Sequence, residues 1–132
     1  METIFTKIIK REIPSHIIYE DEHTIVIPDK FPSMPGQILV ITKEPVAYIF
    51  DLPEEVYAHL MKVTKRIAQA LDAISGQDRT CIVVEGFEVP HVHIRLYPCS
   101  APGVVLTPKI EAPEETIKSL AKELQSLLEK QN

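Results

Sequence analysis

From His91 to Leu96 the chain alternates ionisable and apolar side chains, His91-Val92-His93-Ile94-Arg95-Leu96, before Tyr97 and Pro98. A β-strand turns successive side chains to opposite sides, so His91, His93 and Arg95 share one face and Val92, Ile94 and Leu96 the other. The apolar face belongs in a core, and the chain must build a sheet with one side packed and the other given to chemistry. Two imidazoles and a guanidinium in a row attract anions. Phosphate fits best, because arginine matches its oxygens bidentately and histidine attacks or donates a proton near neutral pH. The residues then read as a phosphate-ester or phosphoanhydride site. An edge strand with solvated polar groups is the plainer alternative that the pattern alone leaves open. A metal site is less favoured: His-x-His supplies two ligands, arginine cannot coordinate, and no cysteine or carboxylate stands in fixed register.

At 132 residues, 45% of them hydrophobic, the chain has room for one domain with a single core. Its formal net charge of −5 argues against nucleic acid as a partner and against docking on an anionic membrane. Cys81 and Cys99 stand far apart beside strand-like runs, which reads as reduced thiols of an intracellular chain and not as a CxxC pair or a zinc site. The residues after Met1 lack the apolar block of a secretory signal, and no run reaches the length of a spanning helix. The expectation is a soluble, cytoplasmic protein.

Periodicity orders the rest. A short helix is expected over residues 4–10, a strand over 16–19, a polar turn over 20–23 and a strand over 24–27, the two strands pairing as an antiparallel hairpin. The nearly unbroken apolar run over 37–42 suggests a strand buried on both faces. Asp51 has the character of an N-cap, with Pro53 in the first turn of the main helix. Val56, Leu60, Val63, Ile67, Leu71 and Ile74 then recur at helical spacing, with Lys62, Lys65, Arg66 and Gln69 toward water, and Ser75-Gly76 ends the helix. Residues 81–84 read as a core strand and 90–97 as another. Beyond them come a turn at 101–103, a brief extended piece at 104–106, and a last helix opened by Pro113 with Ile117, Leu120, Leu124 and Leu127 on one face. That helix is expected to dock on the domain or on a twin subunit.

The fragments Ile4-Phe5-x-Lys7-Ile8-Ile9, Glu12-Ile13-Pro14, Tyr19-Glu20-Asp21, Asp29 followed by Pro35-Gly36-Gln37-Ile38-Leu39-Val40-Ile41, and Val89-Pro90-His91-Val92-His93 occur in this order. Together they resemble the histidine-triad (HIT) family over residues 3–98. The resemblance implies an α+β fold with a five-stranded antiparallel sheet, which joins the one main helix and short N-terminal helix expected from periodicity, while the extra C-terminal helix lies outside it. It divides the chain into a HIT-like nucleotide-binding domain, 1–103, and a C-terminal extension, 104–132. It further implies a homodimer that binds a purine nucleotide such as AMP or a dinucleoside polyphosphate and hydrolyses or transfers its nucleotidyl group, with no cofactor.

By the same resemblance His93 is the nucleophile that attacks the α-phosphate to form a nucleotidyl-histidine, and a neutral imidazole is competent for this. His91 would orient the phosphate. Asp29 would hold the ribose hydroxyls, though it also suits a plain turn. Phe5, Ile8, Ile27 and Leu39 would form the base cleft, where simple core packing is the alternative. His16, His23 and His59 read as surface residues. Several positions depart from the family pattern. Arg95 replaces the third histidine; it stays charged and cannot act as a proton donor, so it is expected to serve as an anion clamp favouring phosphate-type leaving groups. Gln37, counted among the nucleotide-binding residues, stands where many relatives carry another histidine. The loop Glu85-Gly86-Phe87-Glu88 is short and lacks the polar pair that helps hold phosphate, and Glu88 would repel it. Thr3, Thr6 and Pro45 occupy the positions of zinc ligands in zinc-binding members, so no structural zinc is expected. These losses leave two alternatives to an enzyme: a protein that binds nucleotide without efficient turnover, and an interaction module centred on the last helix.

Overall fold

The runs Thr24–Pro28 and Ile38–Thr42 are buried at every position, which requires cover on both sides. In the computed structural model, which describes residues 2–102 and 111–130, they are β2 and β3 of a five-stranded antiparallel sheet. The elements in chain order are α1 (Ile4–Ile9), β1 (Tyr19–Glu20), β2, β3, a 3-10 turn (Ile49–Asp51), α2 (Glu54–Ser75), β4 (Arg79–Val83), β5 (His93–Cys99) and α3 (Glu114–Lys130). The strand order is β1-β2-β3-β5-β4. This is the α+β arrangement expected from the sequence, and residues 103–110, including the extended piece expected at 104–106, lie outside the described ones.

Alternation divides the sheet into two faces. Val26, Ile38, Val40, Ile94 and Leu96 point toward α2 and α3, whose Leu60, Ile67, Leu71 and Leu124 complete the main core. Ile25, Ile27, Leu39 and Ile41 point the other way, where α1 covers them with Phe5 and Ile8. Each large aliphatic side chain removed from water in this way contributes about 1.5–3 kcal/mol. The short α1 is closed at its start by a capping box: Thr3 accepts from the Thr6 backbone and the Thr6 hydroxyl accepts from the Thr3 N–H.

Several sequence expectations change. The strand expected at 16–19 is confined to Tyr19–Glu20. Asp51 does not cap α2; it ends the 3-10 turn, and Pro53 takes the N-cap position without a side-chain bond. The cause is local: the residue before a proline is pushed out of the α region, and Leu52 is extended at ψ 144. Gly76, at φ 71, ends α2 where a left-handed residue is needed. Arg66, expected toward water, is only partly exposed. Its guanidinium donates to the Leu128 carbonyl at 3.0 Å and lies over the Tyr19 ring, tying α2 to the end of α3. β4 is an edge strand with Ile82 exposed, and not a core strand. His59 is held by Asp21 at 2.7 Å, which fastens α2 to the β1–β2 turn.

The buried stripe of α3 is Ile117, Ala121, Leu124 and Leu128, with Leu120 and Leu127 on its margins. This helix packs on α2 and β2. Among the described residues no helix is long and apolar enough to cross a membrane. Because Leu124 is fully buried in the main core, Leu124→Ala should destabilise the protein by about 2–5 kcal/mol. Chemical denaturation checks this; a loss below about 0.5 kcal/mol, the scale of a surface substitution, would show that α3 is not integral to the core.

Candidate functional site

Register builds the site. Ile27 of β2 pairs with Leu39 of β3, and Leu39 with Arg95 of β5. One row over, Ile25 pairs with Ile41 and Ile41 with His93. These rows lie on the face covered by α1. The chain leaves β2 into Asp29 on the same side, and a cavity of about 350 Å³ opens between α1 and the sheet. Phe5, Ile8, Ile27, Leu39, Asp29, His93 and Arg95 all line it. Its floor is apolar at the β2–β3 side and ionisable along β5, a combination that suits a flat apolar ring joined to an anionic group.

His93 is buried, and its Nδ1 lies 2.6 Å from the His91 carbonyl. A carbonyl only accepts, so Nδ1 carries the proton and Nε2 keeps its lone pair. Burial pushes the His93 pKa below the ordinary histidine value; the bond to the His91 carbonyl opposes this, while the nearby Arg95 charge adds to it. The ring is therefore neutral at physiological pH. Phe5 meets it edge-on at 4.7 Å between ring centres. The result is a fixed, unprotonated nitrogen on the wall of a cavity.

His91 has a different place from the one expected. It is fully buried and does not reach the cavity. Its Nε2 donates to the Thr42 carbonyl at 2.6 Å, and Nδ1 has no hydrogen-bond partner. The polar alternation predicts a shared face for His91 and His93, and both rings do pack on Phe5, at 5.9 and 4.7 Å between ring centres, but β5 begins only at His93 and the His91 ring is buried beyond the cavity lining. The structure gives His91 the part of a strut: its ring anchors to β3 and its carbonyl orients His93.

Gln37 is also displaced from the expected position. It is buried behind Asp29, where its amide donates to Asp29 Oδ2 at 2.6 Å and its own carbonyl accepts from the Ser33 N–H. The Phe31 N–H donates to Asp29 Oδ1. Asp29 is thus a turn residue and a cavity residue at once. Arg95 is buried as well, and two carboxylates reach it: Glu85 at 3.4 Å and Glu88 at 3.9 Å. The anion clamp expected from the sequence is engaged by the chain's own anions. Sequence reasoning missed this pairing, and it missed Ile13, Pro14 and Val89 on the cavity wall; the Glu residues were visible as negative charge in the loop, but their approach to Arg95 was not.

The HIT domain is recognised in residues 10–99. An uncharacterised HIT-like protein of Synechococcus elongatus is 41% identical, over 72% of this chain and 88% of that protein. The adenosine 5'-monophosphoramidase of Saccharomyces cerevisiae is 36% identical, over 72% of this chain and 61% of that enzyme. Among solved structures, a HIT-like protein involved in cell-cycle regulation from Bartonella henselae matches with a TM-score of 0.84 at 30% identity, over 95% of both chains. The recognised span runs through β1 to β5 with His93 and Arg95 on its last strand, and the fold is that of the matched structures; the chain belongs to the HIT family.

Proposed function

We propose that this chain is a purine-nucleotide hydrolase or nucleotidyl transferase that works through a nucleotidyl-histidine on His93. The observation that carries the reading is the Nδ1-protonated, neutral His93 on the wall of a cavity that also holds Asp29. The base lies among Phe5, Ile8, Ile27 and Leu39, and Asp29 accepts from the ribose hydroxyls. Such a nucleoside sets its α-phosphate on the β5 side. The Nε2 lone pair forms the N–P bond while the bond from phosphorus to the leaving group breaks, its pair going to that group. Water then attacks phosphorus, giving up a proton to solvent, and the N–P pair returns to Nε2. The carbonyl of His91 stabilises the positive ring between the steps. The activity named for the yeast relative, a monophosphoramidase, is of this class. The same chemistry serves phosphoanhydrides and phosphoramidates. A second reading, nucleotide binding without efficient turnover, draws support from the carboxylates that already occupy Arg95.

The homodimer fits the surface. Tyr48, Phe50, Ile82, Val84 and Phe87 are all exposed, and the first four line one depression at β4, an edge strand of the sheet. A cluster of large apolar groups along an open strand edge favours a second copy.

Alkaline quenching during turnover of adenosine 5'-phosphoramidate, followed by peptide mass spectrometry, should find an added adenylyl group on His93. His93→Ala should abolish both adduct and activity, whereas AMP binding without an adduct or product would favour the second reading. Since attack requires the neutral ring and burial lowers its pKa, kcat/KM should rise with pH along a titration whose midpoint lies below the ordinary histidine value of 6.5. Gln37→Leu should remove the donor to Asp29 Oδ2 and raise KM for ribonucleotide substrates roughly tenfold with a smaller effect on kcat. KM measured on the 2',3'-dideoxy analogue should not move. Sedimentation should give twice the chain mass, and Ile82→Lys should shift it toward the monomer.

A further inference from the structure

Arg95 occupies the β5 position beside β4, where it pairs with Val83. The apolar wall and Asp29 lie on the β2 and β3 side of the cavity. If the nucleoside takes the apolar side, as the proposed function has it, the leaving group departs on the side of Arg95. That side is not electropositive. Two carboxylates approach the single guanidinium, Glu85 at 3.4 Å and Glu88 at 3.9 Å, and Glu88 itself lines the cavity with His93.

The loop that carries them is built to stay there. Gly86 is at φ +83, a conformation side chains rarely adopt, and a Cβ on it would stand 3.2 Å from the Ala47 carbonyl oxygen. Val89, three residues on, packs into the apolar cluster beneath α1. Glu85 and Glu88 are therefore held between a tight backbone approach and a packed anchor. Both carboxylates remain partly open to solvent while Arg95 is buried, so an incoming group meets the anions before it meets the cation.

We infer that Glu85 and Glu88 are leaving-group selectors that hold Arg95 as an internal ion pair and penalise substrates with an anionic leaving group. The inference rests on the nucleotidyl-transfer reading and narrows it. A phosphate or polyphosphate leaving group brings at least one further negative charge to a place where carboxylates outnumber the guanidinium. A phosphoramidate brings none: the P–N bond breaks with its pair going to nitrogen, which takes a proton from solvent water and departs as a neutral amine. Solvent reaches this side past the partly open carboxylates and supplies the proton that Arg95 cannot. The charge balance therefore favours amine-type leaving groups, the reverse of what the isolated arginine suggests.

The test compares two unreactive ligands that differ only beyond the α-phosphate, AMP and adenosine 5'-(α,β-methylene)diphosphate, by calorimetry on the full chain. The wild type should bind AMP the more tightly. Glu85→Gln/Glu88→Gln should shift the affinity ratio toward the diphosphate by roughly tenfold, and the single substitutions should each shift it part of the way. A wild type that binds the diphosphate as tightly as AMP, or a ratio that the double substitution leaves unchanged, would overturn the inference while leaving the nucleotide site intact. Absence of AMP binding would instead overturn the nucleotide reading, and this inference with it.

Discussion

A single backbone carbonyl determines what His93 can do. The His91 oxygen accepts from His93 Nδ1 and so fixes both the ring's orientation and its tautomer. That carbonyl is held in turn from elsewhere: the His91 ring donates to the Thr42 carbonyl, the Thr42 N–H donates to Val92, and the Val92 N–H donates to Val46. The chain between β3 and α2 thus fixes the turn that enters β5. A neutral imidazole in a buried wall costs less than a charged one, and its lone pair is directed without help from an acidic residue.

The two faces of the sheet share the work unequally. One is closed by α2 and α3 over a continuous aliphatic core; the other is covered by α1, whose residues number six, and by the loops around it. A thick core on one side keeps β2, β3 and β5 in register, and the thin cover on the other leaves space for a ligand. The strand register then converts sequence spacing into a two-dimensional layout, apolar on β2 and β3 and ionisable on β5. Selectivity in such a layout comes from its margins, where the loop between β4 and β5 brings carboxylates to Arg95.

The parts of this arrangement that rest on local pattern were legible in the sequence. Period-two alternation located His93 and Arg95 on one face, the apolar run after Gln37 announced a strand buried on both sides, and the spacing of Val56, Leu60, Val63 and Ile67 gave the buried stripe of α2. The family fragments placed Asp29, Phe5, Ile8, Ile27 and Leu39 in one site, and all line one cavity. What escaped depends on contacts between distant segments. His91 follows the alternation and packs on Phe5 as His93 does, yet its ring is buried and bonded to the carbonyl of Thr42, far away in the chain, instead of lining the cavity. Gln37 serves Asp29 because the β2–β3 loop folds back on itself. The later start of α2 is legible too, since Pro53 bars Leu52 from the helix and so removes Asp51 from the N-cap position.

The tautomer of one ring is therefore the most direct test. Long-range 15N–1H correlation spectroscopy on histidine-labelled protein, assigned by comparison with His93→Ala, reports which ring nitrogen carries the proton. At neutral pH His93 should be in its Nδ1-protonated neutral form, with Nε2 at the shift of an unprotonated nitrogen that moves when AMP is added. An Nε2-protonated or cationic ring at that pH, or an Nε2 signal indifferent to AMP, would contradict the account at its centre.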